Sequence, residues 1–322
     1  MIEELPKTTV SEVAKRLVSM RQESGVSALG RVLTLVIAAQ GELDEAAVEA
    51  ANAASNEHPM RVVVVITETD GEDRLDAEIR VGADAGASEV VVLRAFGDVC
   101  SGIESLVTGL LLPDAPVVVW WPGQAPECPG CSPLGRIAQR RITNSTEGLN
   151  GPELERRLAG YIPGDTDLAW TRITRWREYL AAILDQPPHD PVTSVEVVGA
   201  AGSLSTQLLA AWLELALGVP TTCRMPHDDE TVEGVRSVTL RRDAGDSVME
   251  RMTPVQTSLR QPGHPEHRIV LPRRTLSECL AEELRRLDED VMYGRVLARL
   301  SSIRTEQEAH QNRTSEWSTE HE

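Results

Sequence analysis

The run Cys128-Pro129-Gly130-Cys131 has the spacing that dithiol–disulfide chemistry uses, two thiols on either side of a turn-forming Pro-Gly. It makes Cys128 and Cys131 a candidate redox pair. A thioredoxin-type motif sits at the start of a helix after a strand. Here the pair falls in the Pro-, Gly- and Cys-rich loop from Pro122 to Pro133, although Ser132-Pro133 then suits a helix start with Ser as N-cap and Pro at N1. A structural zinc site would want a second pair, and Cys100, Cys223 and Cys279 supply none. Two loop cysteines lying close without a role is the plainer reading.

A second grouping, Gly199-Ala200-Ala201-Gly202-Ser203-Leu204-Ser205-Thr206, sits where a strand hands over to a helix. Glycines there let a backbone approach an anion, and a helix N-terminus favours negative charge. Gly199, Gly202, Ser203 and Ser205 therefore form a candidate phosphate turn for a sugar phosphate or nucleotide. The dinucleotide pattern G-x-G-x-x-G and the P-loop lysine are both absent, and tight turns of any α/β domain share this composition. His264-Pro265-Glu266-His267 lies in a Pro-rich loop with no evident third metal ligand. There is no G-x-S-x-G elbow and no Cys–His pair in recognisable context. The reading expects no catalytic residue, no metal and no cofactor.

Other residues look like contact surface. Trp120 and Trp121 end a strand at a Pro-Gly turn, and successive strand residues face opposite sides, so both cannot enter one core face. Trp121 is a candidate partner contact, with packing between domains as the simpler use. Arg140 and Arg141 read as following a helix, where cations suit the C-terminus, and as candidate contacts on a solvated surface. Glu283 and Arg286, in the block Glu282 to Asp288, present both signs beside an apolar stripe; intrahelical pairs explain them, or they give register to an interface.

These residues need elements to hold them. Val32–Ile37, Arg61–Ile66, Glu89–Arg94 and Pro116–Trp121 are nearly uninterrupted apolar runs, as strands buried on both faces require, and 78–81 adds an extended segment. Leu43–Ala54 and Ile103–Leu112 read as helices between them, and Ser11–Gln22 as an amphipathic helix before them. In the second half, Asp167–Leu184 and Leu204–Leu217 read as helices, and Val192–Val198, Gly234–Arg241, Ser247–Met252 and Arg268–Leu271 as strands. Thr275 and Glu278 fit a capping box for a helix carrying Leu276, Leu280, Leu284 and Leu287. The expected fold is α/β, two α/β domains with mainly parallel or mixed sheets. The expected organisation is a helical segment over 1–25, a domain over 26–147, a linker over 148–166, a second domain over 167–301, and a disordered acidic tail over 302–322.

Composition narrows the partners. The net charge of -18 repels phosphate backbones and anionic lipid surfaces. Aromatic residues at 3% leave few platforms for stacking bases, so the expectation is neither nucleic acid nor membrane. With five cysteines, no apolar run of spanning length and no signal segment at Met1–Gly30, the chain reads as cytoplasmic.

Several blocks together are similar to the family of glucose-6-phosphate dehydrogenase assembly proteins, OpcA. They are Ala51–Ser55 with Glu57–Val62, Leu112–Val117 through Trp120-Trp121-Pro122-Gly123, Gln139–Thr143, Leu168–Arg172, the Trp176-Arg177 helix, and Glu278–Asp288. The resemblance spans roughly residues 30 to 295. It implies a non-enzymatic partner that binds glucose-6-phosphate dehydrogenase and raises its activity, feeding the oxidative pentose phosphate pathway. The family offers no catalytic residue to carry over. The alternative is an enzyme or sensor of sugar phosphates built on the 199–206 turn.

Overall fold

Strands of β-branched residues that are apolar on both faces have to be covered on both faces, and the first half of the chain is built that way. The computed structural model describes residues 1–24, 32–42, 44–81, 89–145, 151–187, 189–200, 202–225 and 233–303. The tail expected to be disordered lies, from 304 on, outside the described residues. In chain order the elements are β1 (Ile2–Leu5), α1 (Val10–Ser24), β2 (Leu33–Gln40), α2 (Glu45–Ala54), β3 (Met60–Glu68), β4 (Arg74–Arg80) and β5 (Glu89–Phe96). Next come α3 (Ile103–Thr108), β6 (Val117–Trp121), α4 (Pro133–Arg136), β7 (Arg140–Thr143), α5 (Gly151–Ala159), β8 (Asp165–Asp167), α6 (Leu168–Arg172) and α7 (Thr174–Leu184). The last are β9 (Ser194–Gly199), α8 (Leu204–Leu217), β10 (Thr221–Arg224), β11 (Val235–Arg241), β12 (Ser247–Arg251), β13 (Gln256–Arg260), β14 (His267–Val270) and α9 (Leu276–Arg285), with residues 291–303 helical after them.

These elements make two compact units. The first comprises Met1–Asn144, Gly160–Thr171 and Arg274–Glu289; the second comprises Ser145–Ala159, Arg172–Arg273 and the residues from Asp290. The fold is α/β with two sheets, one mostly parallel and one mixed.

In the first unit eight strands run in the order β1-β4-β5-β3-β2-β6-β7-β8. The six from β5 to β8 pair in parallel, and β4 and β1 close one edge antiparallel. Alternate residues feed opposite cores. Leu35, Ile37, Val62, Val64 and Trp120 pack with α2 and α9, while Val36, Val63, Val65 and Trp121 pack with α1 and α3. Both indoles are thus core residues, one on each side of the sheet. Asp44 caps α2 by accepting the Ala46 and Ala47 N–H groups, and Thr275 and Glu278 form both halves of the capping box that opens α9.

In the second unit six strands run in the order β10-β9-β11-β12-β13-β14, parallel only between β10 and β9. Val195, Val197, Val238, Leu240 and Met249 turn to the buried side, and α8 supplies Leu208, Leu209 and Leu213. The opposite side of β9, β11 and β12 is polar and partly exposed, the alternation of an antiparallel sheet with one covered face.

Several elements depart from the sequence reading. The helix expected over 167–184 is interrupted: Asp165–Asp167 join the sheet as β8, α6 ends at Arg172, and α7 restarts after Ile173. The strands β1, β7, β10 and β13 were not anticipated; each is four or five residues long and mostly polar, and its pairing with a neighbour defines it.

Candidate functional site

The block Gln139–Thr143 lies on β7, between β6 and β8, and all four of its strand residues are buried. Arg140 and Arg141 therefore do not follow a helix on a solvated surface, as sequence reading had them. A buried guanidinium needs its donors satisfied, and carboxylates and carbonyls elsewhere in the chain meet them, Nε of Arg140 excepted. Arg140, 4% exposed, donates through Nη2 to Glu283 Oε2 at 2.5 Å and through Nη1 to the Asp288 carbonyl at 2.7 Å. Glu283, 6% exposed on α9, also accepts from Thr171 Oγ1 at 2.5 Å. Arg141 bonds the Asp165 carboxylate, the Pro163 carbonyl at 2.6 Å and the Ala138 carbonyl at 2.9 Å. Gly164, at φ 96°, passes so close that an added Cβ would lie 2.7 Å from the Arg141 guanidinium, so both its backbone angle and its missing side chain are required.

Two register positions along, Thr143 Oγ1 donates to Asp167 Oδ2 at 2.6 Å, and Asp167 Oδ1 accepts the Ala169 N–H at 2.8 Å, capping α6. Gln139 exchanges bonds with Val117, its backbone N–H reaching the Val117 carbonyl at 2.9 Å and its side-chain oxygen accepting the Val117 N–H at 2.6 Å. Every polar member of this block is committed to holding β6, β7, β8, α6 and α9 together. Its chemistry is structural.

Of the proposed contacts, then, Arg140, Arg141, Glu283 and Trp121 are interior groups. Burial removes them as surface for a partner. Arg286 alone among the five is exposed, just past the C-terminus of α9.

Cys128 and Cys131 are joined by a disulfide across the short turn Pro129–Cys131. Ser132 caps α4 by accepting the Gly135 N–H at 3.0 Å, and Pro133 opens that helix.

In the 199–206 turn, Gly199 has a packing reason to be glycine. A Cβ there would lie 2.4 Å from Thr206 Oγ1 and 2.6 Å from the Gly234 carbonyl. The Ser203 hydroxyl accepts the Thr206 N–H at 3.3 Å, and Ser205 is buried. Gly202 (φ 66°) is exposed, and Ala201 lies outside the described residues. Gly199 and the Ser203 hydroxyl thus take part in closing β9 onto α8.

Sequence reasoning also missed other buried charged residues. Glu89, fully buried on β5, is held by Arg61 Nε at 2.7 Å and Arg21 Nε at 2.5 Å. Arg251 in the second unit donates to the Leu271 and Pro254 carbonyls at 2.7 and 3.1 Å and stands 5.5 Å over the Trp176 ring. The only sequence signal is a charged residue at the edge of an apolar run, which many exposed residues share. Among the described residues, no three His, Cys, Asp or Glu side chains gather as metal ligands would. Among them, too, no helix is long and apolar enough to cross a membrane.

Two stretches of the chain match known family models. One, described as the glucose-6-phosphate dehydrogenase subunit N-terminal domain, matches residues 51–159, and its companion C-terminal-domain model matches residues 163–297. The chain belongs to the OpcA family. A curated relative from Synechococcus elongatus, described as putative OxPP cycle protein OpcA, is 29% identical over 149 residues, a match covering 42% of this OpcA-family chain and 33% of that relative. The match thus spans only a third of the relative's length. Among solved structures, a glucose-6-phosphate 1-dehydrogenase from Mycobacterium avium aligns over 84% of this OpcA-family chain and 90% of its own, at 12% identity and a TM-score of 0.45. That likeness is too slight to carry an argument.

Proposed function

We propose that this chain works without chemistry of its own, as an assembly partner that binds glucose-6-phosphate dehydrogenase and raises its activity within the oxidative pentose phosphate pathway. The observation that carries the reading is the pair of family models, named for a subunit of that enzyme, which together run from residue 51 to residue 297. The side-chain geometry supports it. The polar groups that sequence reading singled out on β7 and α9 spend their bonding capacity inside the fold, and no nucleophile–base pair emerges from them.

Binding activates only through differential affinity, so the chain must hold the competent conformation or assembly of the dehydrogenase more tightly than the idle one. The test is a dehydrogenase assay at fixed enzyme with increasing amounts of this chain, paired with size-exclusion chromatography of the mixture. A saturable rise in kcat/KM and co-elution are expected. Unchanged kinetics without co-elution, or metabolite turnover by the isolated chain, would overturn the reading.

A further inference from the structure

A strand that closes a sheet leaves a row of backbone N–H and C=O groups with nothing to pair. β14 closes the second sheet, bonded on one side to β13 and on the other to no strand. The register says which groups are left over, because opposite residues of an antiparallel pair alternate between bonded and unbonded. The Leu271 N–H reaches the Val255 carbonyl at 2.8 Å, so Ile269 and His267, at alternate positions before it, also bond to β13. The N–H and C=O groups of Arg268 and Val270 therefore point away from the sheet, and among the described residues they bond to nothing. Pro272, next in that outward series, has no N–H to offer and ends the stretch.

Apolar side chains surround this open backbone. Val270 is 69% exposed, and it lies across from Gln256 at the end of β13. Met252 and Val255, also exposed, stand at the same end, where the Met252 N–H reaches the Gln256 carbonyl at 2.9 Å. Apolar groups left in water beside unpaired backbone are what an added strand covers.

Charge selects the kind of strand. The chain has a net charge of -18, yet from Arg260 to Arg273 it holds three arginines and one carboxylate, Glu266. Arg260 and Arg273 are already paired, with Glu250 and Glu233, and Glu266 accepts the Ser258 hydroxyl at 2.5 Å. Arg268 is exposed and makes no ion pair among the described residues. It stands opposite Ser258, two residues from Val270 and on the same side of the sheet. A carboxylate brought in beside it would gain a charge-assisted bond. A second copy of this chain would bring another Arg268 to the edge and a like net charge, so an acidic segment of a different protein fits better.

We propose that β14 receives an extended, carboxylate-bearing segment of the dehydrogenase as a further strand of the second sheet, with an acidic side chain beside Arg268 and an apolar one against Val270. The inference rests on the dehydrogenase reading and adds to it the surface and the mode of binding.

The test is co-elution with the dehydrogenase and its activation, by the full chain and by variants of it. Val270→Pro removes an outward N–H and no bond to β13, and proline is tolerated at such an edge position. Arg268→Glu reverses an exposed, unpaired charge. Each variant is expected to unfold in urea as the parent does, and to need at least about tenfold more protein for half-maximal activation. Arg268→Ala should flatten the salt dependence of that concentration, which a purely steric effect would not do. If the parent chain neither co-elutes nor activates, the dehydrogenase reading itself fails, and the role of β14 with it. If the parent binds and the folded variants bind as tightly, the role of β14 alone fails. Should Val270→Pro unfold, Arg268→Glu decides by itself.

Discussion

The most prominent ion pairs of the two units differ in burial. In the first, Glu89, Glu283 and Asp165 carry their carboxylates into the interior, and arginines from distant segments follow them there. In the second, Glu196 pairs with Arg224 and Arg241 at 3.4 Å, and Glu250 with Arg260 at 3.1 Å, on the sheet side that is not fully covered. The arginines of these exposed pairs are about half accessible, at 54, 48 and 47%. Desolvated pairs contribute little net stability, because removing two charges from water costs nearly what their attraction returns, yet breaking one leaves an uncompensated buried ion. Exposed pairs are screened and replaceable. The same kind of pair therefore imposes geometry on the first sheet and, at Glu196 and Glu250, decorates a surface of the second.

The sharpest way to break this contrast is Glu283→Ala. It strands the Arg140 guanidinium and the Thr171 hydroxyl in the interior, with an expected loss of about 3–5 kcal/mol in unfolding free energy, read from the urea transition of the first unit. The double change Arg140→Met with Glu283→Leu should recover most of that loss, since apolar groups of similar volume replace the pair. If the single change cost no more than an exposed pair, the comparison would collapse.

A smaller effect is expected in the second unit from Gly199→Ala. The new methyl group meets Thr206 Oγ1 and the Gly234 carbonyl, and overpacking of this kind costs about 1–3 kcal/mol. A neutral outcome would mean that β9 can retreat from α8, and that the glycine serves something other than packing. Smallest of all is Arg260→Ala, which removes the exposed partner of Glu250. The expected change is within about 1 kcal/mol and disappears in 1 M salt, where the Debye length is about 3 Å.

How much of this was legible beforehand depends on how local the cause is. The runs Val62–Ile66 and Val90–Leu93 announce strands buried on both faces by composition alone, and both are core strands. The Thr275–Glu278 capping box involves residues three apart, so it could be read directly. Alternation along a strand likewise required that Trp120 and Trp121 face opposite sides, as they do. By contrast β7 is four residues with two arginines, a poor strand by composition. What makes it a strand is its place between β6 and β8, and what makes its arginines tolerable is Glu283, 143 residues later, and Asp165, 24 residues later.

The family was legible because its blocks follow one another in order along the chain. Their roles were not, because a conspicuous Trp or Arg looks alike on a surface and in a core until its neighbours are known.

Sequence by itself thus determined what short-range physics decides: the apolar runs, their alternation, the helix caps, and the acidic balance of the chain. Only the tertiary structure decided which segments meet. It put α9, from late in the chain, over the first sheet and drew Arg140 and Arg141 inside. Partner choice over more than a hundred residues rests on packing and on matching buried charges, and neither leaves a periodic trace in the chain.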